Sequence, residues 1–304
     1  MRPATRWALL SIALVIPCAL PAQVLLDQTE DLHFDRPESW AMKYYGSVTL
    51  LTVLGGPQEL APGEVVIGFE CSWLPTLSAE QQRVGFFGIK EEDLNRSSVF
   101  GRGRLLVGLP GAFVLTAAYV PPVDLQGIEP HLLAVGVGRT VAERGRWRLG
   151  AQLSGELGAL EGDITCSRDV ARAGDDPERN PFGCLEPSSD ELEIRYGALE
   201  LASRFDLGAT TPHLSLFTSY FDTELQVDAR YRDIVDRSRL RTTGWTWGAT
   251  AGLSWRMGER TGVGLEAFYS PLEVFRAPGA PTETDELFHV RAMVTYRVRS
   301  PGGP

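Results

Sequence analysis

Past residue 20 the chain has no apolar run long enough to cross a bilayer as a helix, which takes about 20 residues, and this excludes a helical membrane protein. Cysteine and histidine are scarce, four of each, and no His, Cys or carboxylate spacing matches a metal site. No metal and no other cofactor is expected. Positive charge is in deficit: 29 Lys and Arg stand against 39 Asp and Glu, a formal charge of -10. Nucleic acid is excluded as a partner, because binding phosphates needs a basic surface. Apolar residues at helical spacing are almost absent after residue 43.

What is present begins with Arg2 and Arg6, an apolar run from Trp7 to Leu20, and the small-residue stretch ending at Ala22. That order reads as a secretory signal peptide over 1–22. The run is too short to span a bilayer, although Leu20 departs from the small residue preferred three positions before the cut. Pro17 before Cys18 argues against lipidation. Removing the segment takes the charge from -10 to -12. Cys166 and Cys184 flank a polar loop and, in an oxidising compartment, read as a disulfide. On the chain-entropy model it stabilises the fold by about 3 kcal/mol. Cys71 is left over as a small apolar strand residue.

The mature sequence is dominated by alternation of period two. Trp245, Trp247, Ala249, Ala251, Leu253 and Trp255 form one face, against Thr246, Gly248, Thr250, Gly252 and Ser254 on the other. One face is apolar and the other small and polar. Ten steps of extended chain cover about 33 Å, and a tilt near 40° projects this to about 25 Å, the apolar height of an outer-membrane barrel. The plan recurs around Trp73, Tyr119, Trp147, Tyr269, Phe288 and Tyr296, which with Trp245 and Trp255 are the expected aromatic girdle. A β-sandwich accounts less well for so many long strands that end in aromatics. Gly108, Gly136, Gly150 and Gly252 read as strand positions in a crowded, narrow barrel.

Short links at Pro110-Gly111, 141–145, 206–212 and 258–261 alternate with long ones at 74–97, 121–128, 163–189, 229–238 and 276–285. Short turns on one rim and long loops on the other are the pattern of periplasmic and extracellular faces. The expectation is an all-β chain: a closed antiparallel transmembrane β-barrel of about twelve strands over 43–299. It follows an N-terminal segment, 23–42, whose Val24–Phe34 stretch supplies the first crossing, and precedes a tail, 300–304. Closures of ten to fourteen strands fit the same pattern.

In this pattern the sequence resembles the broad outer-membrane β-barrel superfamily of bacteria, over nearly the whole mature chain. Phe34-Asp35-Arg36-Pro37-Glu38-Ser39-Trp40 is similar to the N-terminal region of fatty-acid-transporter-like barrels, which are longer and carry a plug. A departure lies at the other end: many members finish on an aromatic residue, whereas here Tyr296 is followed by Arg297-Val298-Arg299 and a Pro- and Gly-bearing tail. The resemblance implies residence in the bacterial outer membrane, with lipid as the first partner and a small-molecule solute as a second.

Alternation points Glu64, Glu70, Arg102, Arg104, Arg148, Glu156, Arg204, Glu266, Arg291 and Arg297 into the lumen. Paired with one another they fill a closed barrel; lining water they bias which solutes pass. The reading favours a narrow or gated pore for small or amphipathic solutes, over a structural or adhesive barrel whose disulfide loop meets a partner. Catalysis is not expected. His213-Leu214-Ser215 has a hydrolase-like spacing but lies just after a short turn, where a polar pair at a strand start accounts for it. Asp175, Asp176, Asp190, Glu191 and Glu193 read as solvated loop charge.

Overall fold

The computed structural model describes residues 24–124, 126–277 and 279–299. The expected signal peptide over 1–22, with Cys18, and the tail at 300–304 lie outside the described residues. Ten antiparallel strands form a closed ring: β1 (Val65–Trp73), β2 (Val99–Leu109), β3 (Phe113–Val120), β4 (Ile128–Arg144), β5 (Trp147–Gly162), β6 (Asp190–Phe205), β7 (Thr210–Gln226), β8 (Arg239–Arg256), β9 (Thr261–Val274) and β10 (Glu283–Arg299). Each strand pairs with its sequence neighbours, and β10 closes on β1, with Trp73 opposite Val290 and Ile67 opposite Tyr296. The links β2–β3, β4–β5, β6–β7 and β8–β9 are short and share one rim with the start of β1; the long links lie at the other rim.

The strand number is ten, not twelve, and the wall begins at Val65, not Lys43. The two segments counted as extra crossings do not belong to it. Thr29–Asp31 adds three residues in parallel beside the long-loop end of β8, and Val24–Leu26 pairs with Ile234–Asp236 in the β7–β8 link. Pro37–Thr49 is a helix, α1, followed by an extended stretch that reaches the short-turn rim before β1. Pro37 at the first turn and Glu38 beside it suit a helix start, and nearly every residue of α1 is buried. Its polar residues Glu38, Ser39, Lys43, Ser47 and Thr49 are buried along with its apolar ones, so it lacks the contrast between a solvent face and a core face that marks a surface helix.

The barrel is turned inside out relative to a water-soluble protein. Its buried face carries charges such as Glu70, Arg102, Arg104, Glu156, Glu200, Glu266 and Arg291, while Phe69, Leu153, Leu157, Leu201, Leu216 and Val294 stand half or more exposed. An apolar surface of this extent is untenable in water and is what a lipid-facing wall requires. The girdle residues all lie on this outer surface: Trp73, Tyr119, Trp245, Phe288 and Tyr296 are exposed, and Trp147, Trp255 and Tyr269 half-buried. Tyr220 packs against Trp245 and Trp247 against Tyr269. Leu216 sits mid-height on β7 and is 59% exposed. Leu216→Arg is expected to destabilise the inserted barrel by about 2–4 kcal/mol, read as a lower urea midpoint in lipid vesicles; an unchanged midpoint would remove lipid from this face.

Candidate functional site

The lumen is occupied by the chain's own N-terminal segment, and the wall grips its backbone. At the end of α1 the last carbonyls of a helix lack intrahelical partners, and α1 has no basic residue in its last turn. The wall supplies the cations: Arg102 donates to the Thr49 carbonyl at 2.5 Å and the Leu50 carbonyl at 3.1 Å, and Arg291 to Leu50 at 2.9 Å and Val48 at 3.4 Å. Arg104 reaches the Thr52 carbonyl at 2.8 Å. Positive charge there also suits the helix dipole.

One carboxylate, Glu70, holds these guanidiniums together. It accepts from Arg102 at 2.8 and 3.2 Å and from Arg104 at 2.5 Å, with Arg291 at 3.9 Å. Glu156 lies 3.7 Å from Arg102 and accepts from the Thr49 hydroxyl at 2.6 Å. Below this level, the Leu51 N–H donates to the Tyr196 hydroxyl at 2.7 Å, the Val53 N–H to Glu200 at 2.8 Å, and the Thr52 hydroxyl to Glu266 at 3.0 Å. Wall glycines make room: a Cβ on Gly150 would stand 2.6 Å from Pro57, and one on Gly264 2.8 Å from Leu54. The void beside the segment near Thr52 and Gln58 is about 30 Å³, space for about two or three waters.

The lumen residues named from the alternation fall into two groups. Glu64, Glu70, Arg102, Arg104, Glu156, Glu266 and Arg291 are buried. Arg148, Arg204 and Arg297 are less so and stand near the short-turn rim, where Arg148 pairs with Glu59, Glu143 and Asp206, Arg204 with Glu59 and Asp206, and Arg297 with Glu64. Sequence reasoning missed Glu200, Tyr196 and Thr52, whose importance comes from touching α1's continuation. His213 and Ser215 both point inward but have separate partners: His213 lies 3.3 Å from Glu266, and the Ser215 hydroxyl pairs with Thr250 at 2.8 Å. Among the described residues no group of three His, Cys, Asp or Glu is arranged to hold a metal ion.

At the long-loop rim the loops fold over α1. Cys166 and Cys184 are disulfide-bonded and buried, and they pack on Val227, Ala229 and Tyr231 of the β7–β8 link. Between α1, these loops and the hairpin 83–91 lies a cavity of about 210 Å³, lined mainly by apolar side chains such as Met42, Tyr45, Leu192 and Leu225. The hairpin tip, Phe86-Phe87, walls it with both residues at positive φ, 48° and 61°. Left-handed backbone costs a bulky residue about 1–2 kcal/mol, so contacts must impose it. Phe86 packs on Phe182 and Tyr231, the Phe87 N–H donates to Glu38 at 2.7 Å, and the Arg36 guanidinium lies 3.6 Å from the Phe87 ring centre. Glu92, at the edge of the cavity, is bonded to Lys90 at 2.5 Å. Burial raises its carboxyl to about 8, against the opposing pull of that ammonium.

No protein-family model matches the sequence, and no curated protein matches it. Among solved structures the chain is similar to the outer membrane protease OmpT of Escherichia coli, at 9% identity over 83% of this chain and 99% of the other, with a TM-score of 0.40. It is similar too to the COG4313 outer membrane channel of Pseudomonas putida F1, at 9% identity over 82% and 99%, TM-score 0.41. A third is the Pseudomonas putida toluene transporter TodX, at 11% identity over 89% and 99%, TM-score 0.31. The three are described as a protease, a channel and a transporter. At such identities and scores they say nothing about activity here, and the membrane assignment rests on the wall's own apolar surface.

Proposed function

We propose that this chain is an outer-membrane β-barrel with its short turns in the periplasm and its long loops outside, working as a gated pore for small or amphipathic solutes that its own N-terminal segment closes at rest. One observation carries the reading: the lumen is filled by a segment held only by hydrogen bonds, ion pairs and packing, with no covalent tie to the wall beyond the chain itself. Contacts of this kind contribute about 0.5–3 kcal/mol each, so a limited rearrangement can exchange one set for another with water. A permanent filling is more simply built from apolar wall residues, since buried ion pairs rarely exceed well-packed hydrophobic substitutes in stability.

Single-channel recording tests it. In planar bilayers the natural chain should show a closed baseline with brief openings. The double variant Arg102→Gln/Arg291→Gln, which removes four donors from the end of α1, should conduct for sustained periods. Silence in both forms, with correct folding shown by heat-modifiable mobility, rejects the pore. That result would turn attention to the second reading, a non-conducting structural or adhesive barrel.

A further inference from the structure

The cavity at the long-loop rim has a charge balance that selects among ligands. Five ionisable side chains face it: Glu30, Arg36, Glu38, Glu92 and Asp236. Arg36 is consumed by Glu38, at 3.0 and 3.2 Å, and by Glu30 at 2.5 Å, and it stacks on Phe87. Glu92 is taken up by Lys90, whose ammonium also donates to the Thr165 carbonyl. Asp236 is different. It is 6% exposed, and its carboxylate receives one hydrogen bond, from the Ser238 N–H at 2.9 Å. Among the described residues no cation pairs with it. A polar group without any hydrogen-bond partner also faces the cavity: the buried Tyr45 hydroxyl.

A buried carboxylate without a counter-charge is costly, and an unpaired buried hydroxyl adds to the cost. Both sit in a chamber whose remaining surface is mostly aliphatic and aromatic, with the Phe86 ring among its walls; the Tyr231 ring, also a wall, already has the Lys90 ammonium 5.8 Å from its centre. Aromatic faces attract cations within about 6 Å. An anionic head group would meet Asp236, Glu30 and Glu38 with only Arg36 in opposition, and a purely apolar guest would leave Asp236 and Tyr45 as unsatisfied as before. We infer that this cavity is a binding site for a small cationic amphiphile, a protonated amine on a compact apolar or aromatic body. The ammonium pairs with Asp236 and the body occupies the space between α1 and the hairpin 83–91. Binding here is independent of whether the lumen conducts, because the site lies above the filled segment.

Three probes of matched shape test the inference: 2-phenylethylammonium, 2-phenylethanol and phenylacetate, titrated by calorimetry into the full chain in lipid nanodiscs at low ionic strength and neutral pH. The cation is expected to bind at least about tenfold more tightly than phenylacetate, with the alcohol between. Asp236→Asn keeps an acceptor for Ser238 and should abolish the cation's advantage over the alcohol while leaving the alcohol's affinity within about twofold. Asp236→Glu, which retains the charge, should preserve the preference. Equal affinity for cation and anion overturns the assignment, as does an Asp236→Asn variant that still prefers the cation. If none of the three probes binds the natural chain, the cavity is not a site of this kind; channel recordings on the same sample report separately on the pore.

Discussion

Glu70→Ala is expected to lower the stability of the folded barrel by about 3–5 kcal/mol, the cost of leaving buried charges without their partner. Glu70 is fully buried and is the carboxylate shared by Arg102 and Arg104, with Arg291 close by; Arg102 and Arg291 are themselves fully buried. Its loss leaves Glu156, 3.7 Å from Arg102, as the nearest remaining counter-charge. Three guanidiniums would then repel one another at the end of α1, so the plug should loosen together with the wall. Urea unfolding in vesicles measures the first effect and bilayer conductance the second. A combined replacement of Glu70, Arg102, Arg104 and Arg291 by apolar residues of similar volume should restore most of the stability without restoring the grip on the helix carbonyls. If Glu70→Ala leaves the unfolding midpoint in place, the cluster is not what holds the segment.

Gly46→Leu is expected to unseat α1 from the opposite side. A Cβ at position 46 would stand 2.5 Å from Cε1 of Phe221, whose side chain is fully buried against Tyr196. Neither ring has free space to yield, so the larger side chain must displace the helix; overpacking of this sort costs about 1–3 kcal/mol. The wall strands keep every hydrogen bond of their ladder, so the cost should fall on the plug. The expected result is near-natural strand content by circular dichroism, faster proteolysis within 37–62, and long openings in bilayer recordings. Unchanged proteolysis with a silent record would mean that α1 does not move, and would count heavily against gating.

Much of the wall was legible residue by residue. The alternation of β8 between Trp245 and Trp255, the inward set from Glu70 to Arg291, and the pairing of Cys166 with Cys184 can each be read from a short window, because the strand period is two and a side chain's face follows from its position. The filling was not legible in this way. Pro37 and Glu38 are helix-start residues, but α1 buries polar residues such as Lys43 and Ser47 together with Trp40, Tyr44 and Val48, so no solvent-facing polar side set it apart in the sequence. The segment from Phe34 to Trp40 resembled the N-terminal region of plugged barrels but was not read as a plug, and Gly150 was read as crowding within a narrow barrel, whereas a Cβ there would meet Pro57 of the filling segment. The cavity at the long-loop rim had no signature at all, since its lining comes from six separate stretches between Leu26 and Leu240.

By itself the sequence determined that the chain makes a wall with one face for hydrocarbon and one for charge, and which loop is closed by a disulfide. These are local matters, settled by the period of the strand and by a pair of cysteines flanking one loop. Tertiary structure alone decided that ten strands close the ring, that the N-terminal segment fills it, and which carboxylate serves three arginines. Each of those depends on contacts between residues far apart in the chain, and the same alternation is compatible with an empty cylinder or a plugged one; only packing against α1 distinguishes them.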